Sequence, residues 1–407
     1  MLRMGPKSII AIFAVFALCT CIDPYIPKLN GYESLLVVEG LLTNENTSYT
    51  VKVSRTYQEQ NATLSMVKDA SVSISDDAGT KTKLYNLGNG IYKTDSIGFK
   101  GIIGRIYILN VQTKEGEDYE SEPCLMNYVP DINRLYFEKW QQLTNNETQS
   151  QVGIRIYLDS KDGEINQYLR WDFMESWKFK VPNPQKYNYL GYGVVALVKK
   201  INEYCWKNRK SNDVLIHSVY SGQNGQIEKE PILFIPATES DRLLLQYSIL
   251  IRQYSISKTE YDFWNNMKQV NEAGGDIFAK QPFTVVSNIH NVNDPMERVL
   301  GYFQVSAVTQ MRMNIPFSEI VELNLPFYHY PCKRIEMSPA DYPWPPLAPP
   351  LTMDDIYKMY TSSGYTFVEP IYGDSSQVQK LVFTMPECAD CELTGTSVKP
   401  DFWVDLN

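Results

Sequence analysis

The sequence predicts a mainly β protein: an N-terminal immunoglobulin-like β-sandwich followed by a larger β-rich domain with at least one covering helix. Three observations lead there. Short stretches alternating with period two recur between turn residues along the first part of the chain. Aromatic residues make up 13% of the chain, led by 28 tyrosines, a composition that favours strands. One segment carries a strong set of helix start and face signals.

In chain order, residues 1–20 read as a signal peptide. Arg3 and Lys7 make a positive start, and Ile9 to Leu18 is an unbroken apolar run, too short to span a bilayer as a helix. Leu18-Cys19-Thr20-Cys21 follows. A leucine three residues before a cysteine, with a small residue just before it, resembles a bacterial lipobox. Cleavage is expected before Cys21, whose thiol would carry a lipid. Cys19 fits less well, because Leu18 would place a bulky residue at the cut. Residues 21–34 are expected to be an extended tether, with Asp23, Pro24 and Pro27 opposing a helix. No later stretch is apolar enough to span a bilayer, which predicts an aqueous remainder.

Residues 35–127 are assigned to the sandwich. Leu35 to Gly40 is a first strand, and Tyr49 to Ser54 and Ala70 to Ser75 alternate with period two. Asp76 to Gly79, Asn89-Gly90 and Lys114 to Glu117 supply turns, and Ile106 to Val111 is a further strand. Short strands at this spacing are the basis of the immunoglobulin-like expectation. Glu122-Pro123 and Val129-Pro130 mark a boundary.

Residues 128–407 are assigned to the larger domain. Strands are expected over Gly153 to Leu158, Tyr168 to Phe173, Val194 to Lys199, Leu215 to Val219 and Leu243 to Arg252. Ser257-Lys258-Thr259-Glu260 has the form of a capping box. Tyr261, Trp264 and Met267 then share a helix face, and Gly274-Gly275 is the expected stop. Pro339 to Pro350 contains six prolines and reads as a stiff loop. Thr352 before Asp354-Asp355 predicts the N-cap of a short helix running toward Tyr360.

The balance of 38 basic against 47 acidic residues leaves a net charge of −9 and argues against a nucleic-acid partner. Chemistry-bearing motifs are sparse. Ser255-Ile256-Ser257-Lys258 fits the S-x-x-K pattern of penicillin-binding enzymes, but the S-D-N and K-T-G companions are missing, and capping explains the local residues. Of the three histidines, His217, His290 and His329, none has metal-ligand spacing. No cofactor is expected. Leaving aside Cys19 and Cys21, five cysteines remain: Cys124, Cys205, Cys332, Cys388 and Cys391. The simplest reading is two disulfides among the last four, with Cys124 free or buried and the connectivity open. A zinc site using Cys388-Ala389-Asp390-Cys391 is the alternative.

The order of several motifs resembles a known family. Asp23-Pro24-Tyr25 follows the lipobox, then Leu36 to Gly40, Asp69 to Val72 and Gly90-Ile91-Tyr92. Tyr204-Cys205-Trp206, Tyr247 to Leu250, Gln253 to Ser257, Tyr261 to Trp264, Asn288 to Val292 and Val299 to Phe303 come next. Cys388 to Cys391 and Lys399 to Trp403 close the series. Together they resemble the Bacteroidota envelope lipoproteins catalogued as domain-of-unknown-function family 4249, over the chain from about residue 20 onward. The resemblance implies an outer-membrane lipoprotein, often associated with TonB-dependent transporters, and carries no catalytic residues.

The leading expectation is therefore a non-enzymatic accessory or docking subunit of an outer-membrane transporter or barrel complex, anchored through Cys21. Which membrane face it occupies stays open. A surface glycan- or peptide-binding lipoprotein is the second expectation, with Tyr342 and Trp344 in the proline-rich loop as contact candidates. A hydrolase with two distant carboxylates is the third.

Overall fold

Strand signals in the first part of the chain become β1 (Leu36–Thr43), β2 (Thr50–Arg55), β3 (Ser65–Met66), β4 (Ser71–Asp76), β5 (Lys81–Asn86), β6 (Ile91–Lys93), β7 (Ile106–Gln112), β8 (Asp118–Ser121) and β9 (Cys124–Leu125). The computed structural model describes residues 34–56, 65–95, 98–143, 150–160, 167–219, 226–273, 287–342, 349–374 and 376–406. Along β7 the pattern is strict: Tyr107, Leu109 and Val111 are buried, while Ile106 and Gln112 face out. That alternation turns one face of the strand into core.

The chain continues with β10 (Ile132–Leu143), β11 (Ser150–Ser160), β12 (Tyr168–Lys180), β13 (Tyr187–Gly191), β14 (Val194–Leu197), β15 (Tyr204–Lys210), β16 (Leu215–Ser218), β17 (Ile227–Pro236) and β18 (Tyr247–Ile256). Helix α1 (Lys258–Ala273) precedes β19 (Ile289–Asn291), β20 (Leu300–Ser306) and β21 (Val308–Ile315). The remaining elements are α2 (Phe317–Glu322), β22 (Ile335–Met337), α3 (Met353–Ser362), β23 (Thr366–Tyr372) and β24 (Val378–Thr384). The protein is thus mainly β.

The first sheet has eleven strands in the order β19-β8-β7-β4-β5-β6-β2-β1-β20, with β3 on β2 and β9 on β7. It is nearly closed. Asn288, the residue just before β19, bridges to the other outer strand, β20. The Asn288 amide donates to the Phe303 carbonyl at 2.9 Å and accepts the Phe303 N–H at 2.9 Å. One asparagine amide thereby imitates a strand partner for both backbone groups of a buried residue.

The expected boundary at residue 127 does not separate the sheets. The segment after β9 does leave the first sheet, but β19 and β20 return to it, and β20 pairs in parallel with β1. Gly301 makes that pairing possible. It sits opposite Val38 at φ +88°, and a Cβ there would lie 2.1 Å from the Val38 carbonyl oxygen. Parallel partners need a long connection, so the return is invisible to any reading that looks for adjacent hairpins.

β12, β18, β15, β21 and β16 form a second sheet, and β10-β11-β17 a third. Strand β18 is buried along nearly its whole length, with Tyr247, Ile249, Ile251 and Tyr254 all at 0% exposure. Only Ala307 separates β20 from β21, so the chain steps from the first sheet to the second within one residue. On β12 of this sheet Glu175 is fully buried. Arg242 reaches it at 2.8 Å and the Tyr247 hydroxyl donates to it at 2.8 Å.

Helix α1 begins where its cap signal places it: the Glu260 N–H donates to the Ser257 hydroxyl at 3.1 Å. Tyr261 and Trp264 pack on a cluster containing Tyr254, Ile256 and Val308, so the helix covers part of the second sheet. The expected stop at Gly274-Gly275 lies outside the described residues. Helix α3 has the full reciprocal box: the Asp355 N–H donates to the Thr352 hydroxyl at 3.2 Å, and the Thr352 N–H donates to Asp355 at 2.9 Å. It packs with β22, β23, β24 and the β13–β14 hairpin around a separate small core of Ile356, Phe367, Leu381 and Phe383.

Two disulfides tie this last module down. Cys205 on β15 bonds Cys391, and Cys332 bonds Cys388. Each cysteine of the Cys388–Cys391 motif therefore bonds outward rather than to its neighbour, and the zinc alternative is overturned because no thiolate is left to ligate. Cys124 is free. Among the described residues no helix is long and apolar enough to cross a membrane.

Candidate functional site

Two features stand out, a cavity at the seam between the first and second sheets and an exposed hairpin on the disulfide-tied module. The cavity has a volume of about 360 Å³, the lower end of the range for small-molecule sites. Five stretches wall it: 122–128 leaving the first sheet, Gln167-Tyr168 opening β12, 255–260 joining β18 to α1, Asn288, and Tyr302 to Val305 on β20.

The interior is polar and buried. Gln167 donates its amide to the Tyr128 carbonyl at 2.8 Å and to the Ser255 hydroxyl at 3.3 Å. The Cys124 thiol lies 3.2 Å from the Glu122 carbonyl, and the Asn288 amide donates to Cys124 Sγ at 3.4 Å. Burial, reinforced by the nearby Glu260 and Glu122 carboxyls, pushes the thiol up to about 12. At neutral pH it is therefore protonated and a poor nucleophile. Glu260 is 2% exposed. Burial raises its carboxyl to about 7, against the opposing pull of Arg170, the Trp264 indole and the Ser306 hydroxyl.

The S-x-x-K residues border this cavity without forming a catalytic pair. Ser255 is engaged by Gln167, Ser257 caps α1, and the Lys258 ammonium pairs with Asp262 one turn along the helix. Among the described residues no group of three or more His, Cys, Asp or Glu side chains is placed to hold a metal ion. His217 pairs with Glu230 at 3.0 Å, while His290 and His329 are exposed.

The hairpin of β13 and β14 turns through Gly191, Tyr192 and Gly193, all at positive φ. A tyrosine at φ 51° is uncommon and needs support. Asp354 at the start of α3 supplies it. One carboxylate oxygen accepts the Tyr192 N–H at 2.8 Å and the Tyr189 hydroxyl at 2.5 Å, and the Tyr189 oxygen accepts the Gly193 N–H at 3.0 Å. Tyr187, Tyr189 and Val195 pack inward. The outer side presents Leu190, Val194 and Leu197, and the Tyr192 side chain at the tip is 94% exposed.

Of the expected contact residues, Tyr342 is half-buried against the small core, close to Tyr360, rather than held open on a loop. Trp344 and Cys21 lie outside the described residues. Sequence reasoning passed over Glu260 as a site residue because its N3 position already explained it, and it passed over Asn288 and Gln167 because isolated amides carry no spacing signal. The hairpin was legible in part. Gly191-Tyr192-Gly193 between alternating apolar residues is a turn signal, but exposure of the apolar face is not written in it.

Fold and cavity define a mainly β protein with a nearly closed sheet joined to a second sheet across a polar seam. The chain belongs to the family described as Domain of unknown function (DUF4249), which matches residues 22–312. The match stops within β21, so the Cys388 to Cys391 and Lys399 to Trp403 motifs lie beyond it. No curated protein matches the chain.

Proposed function

We propose that this protein is a lipoprotein of the outer membrane, anchored through a lipid on Cys21, that acts without catalysis as a docking subunit of a TonB-dependent transporter or other barrel complex. The observation that carries the reading is the β13–β14 hairpin. Leu190, Tyr192, Val194 and Leu197 expose apolar and aromatic surface on an element that is braced rather than loose. A tyrosine-tipped, pre-ordered surface loses little entropy on association, and exposed apolar patches of this kind mark interaction sites. The N-terminal unit, read as an immunoglobulin-like sandwich, would serve as the spacer between the tether and this module.

The test is affinity purification of the tagged chain from solubilised outer membranes. An outer-membrane β-barrel protein is expected to co-purify. Tyr192→Asp should reduce its recovery at least tenfold while leaving the melting temperature unchanged, and Cys21→Ser should abolish palmitate labelling. Recovery of no barrel protein with the wild-type chain would overturn the reading. Capture of a glycan or peptide is the second reading, favoured by the polar seam cavity.

A further inference from the structure

The seam cavity has a chemical bias that docking does not use: among the residues that line it, the buried side-chain atom left without a partner is an acceptor, whereas the unpartnered Arg170 Nε and Ser306 hydroxyl lie behind the lining. Gln167 is buried and both its donor contacts are made, yet its Oε1 has no partner among the described residues. The Trp264 indole N–H reaches the Glu260 carboxyl only at 3.4 Å, the long end of hydrogen bonding. Neither nearby cation makes a close ion pair with Glu260. Lys258 pairs with Asp262, while Arg170 lies 4.0 Å from Asp172 and stacks over the Tyr254 and Trp264 rings. Arg170 offsets the burial of the Glu260 carboxyl only in part, since the group stays raised to about 7; a dehydrated carboxyl in that position is costly, and an open cavity beside it lets a ligand supply a further cation.

We infer that this cavity binds a small primary amine, its ammonium group set against the Glu260 carboxyl and the Gln167 side-chain oxygen. Tyr128, Tyr168 and Tyr302 in the wall suit the same charge, since aromatic rings attract ammonium groups. The inference is independent of the docking role. It has a pH signature. The titratable and charged groups facing Glu260 are Arg170 on β12, Cys124 on β9 and Tyr302 on β20. Burial pushes both Cys124 and Tyr302 up to about 12, so within this set only Glu260, at about 7, changes charge between pH 5.5 and 8. An ammonium ligand selects the ionised carboxyl. Its affinity should therefore rise roughly thirtyfold from pH 5.5 to pH 8, following the ionised fraction.

The experiment is calorimetric titration of the full chain with ethanolamine and putrescine, set against ethylene glycol, 1,4-butanediol and glucose. At least one amine should saturate, its diol counterpart and glucose should bind at least tenfold more weakly, and Glu260→Gln should lose both the binding and its pH dependence. Failure of both amines to saturate would overturn the inference. So would equal binding of a diol or glucose, or an affinity that stays flat across that pH range. Should the variant not fold, the wild-type pH profile and the diol comparison decide the matter alone.

Discussion

Glu260 makes the protein less stable as pH rises through a window that the structure defines. Folded, its carboxyl is held up to about 7 by burial; in the unfolded chain it returns to its ordinary value of 4.5. Below pH 4.5 both states hold the proton and the group contributes nothing. Between 4.5 and 7 the unfolded chain gives up its proton while the folded protein keeps it, which favours unfolding. Above 7 the full difference is in place. A separation of about 2.5 pH units at ~1.4 kcal/mol each amounts to about 3 kcal/mol. Glu260→Gln keeps the side-chain shape and an acceptor for the Trp264 indole while removing the titration. Reversible urea unfolding followed by tryptophan fluorescence at pH 4 and pH 8 measures the effect. The variant should match wild type at pH 4 and exceed it by about 3 kcal/mol at pH 8. Other titrating groups are common to both proteins and cancel in the difference. A gap between the two that is the same at both pH values, or a variant less stable at pH 8, would refute the assignment of the shift to burial.

Two further outcomes follow from the architecture. Asn288→Ala strips the buried Phe303 N–H and carbonyl of their partner and should cost roughly 2–4 kcal/mol, with faster hydrogen exchange at β19 and β20 than elsewhere in the first sheet; protection unchanged at those strands would mean that the sheet closes by other contacts. Replacing Cys205 and Cys391 together by serine opens a link across 186 positions and should destabilise the protein by roughly 2–5 kcal/mol, with proteolysis appearing first in the β13–β14 and α3 module. An unfolding free energy within 0.5 kcal/mol of wild type (about the scatter of a neutral surface change) would count against it.

Much of the fold was legible where the signal is local. The capping serine of α1, the Thr352 box of α3 and the alternation along β7 are contacts within a few residues, and each forms as its pattern implies. Strand ends were less so. The apolar run from Leu243 begins with a single 3-10 turn at Asp241–Leu243, and β18 starts only at Tyr247. Asp241 explains the difference: it accepts the Trp177 indole N–H at 2.9 Å and the Lys207 ammonium at 2.8 Å, contacts from two distant strands that hold the turn. Residues of the candidate site were the hardest to read, because Glu260 obeys the start of a capping box and then breaks it. Its backbone N–H meets Ser257 as expected, but its carboxyl points to Trp264 instead of returning to the cap. Local rules describe the backbone half of that residue, and only tertiary packing describes the other half.

The seam cavity exists because of how the chain crosses between sheets. Most of its walls are crossings or ends: 122–128 departs from the first sheet, Gln167 precedes β12, 255–260 turns from strand to helix, and Asn288 leads into β19, while Tyr302 to Val305 lie along β20, the outer strand that returns. At such places a backbone group loses its ladder partner, and a side chain must replace it. Gln167 does so for the Tyr128 carbonyl, Asn288 for Phe303, and Ser257 for the Glu260 N–H. Closing the first sheet with strands from late in the chain thus concentrates amides and hydroxyls at one seam, next to a carboxyl that the same packing removes from water. All of these residues fall within the stretch matched by the family, whereas both cysteines of the C-terminal Cys388–Cys391 motif fall outside it. The polar seam thus lies wholly inside the matched stretch, whereas the disulfide-tied module straddles its end: the β13–β14 hairpin and Cys205 fall within the match, and α3, β23 and β24 fall beyond it.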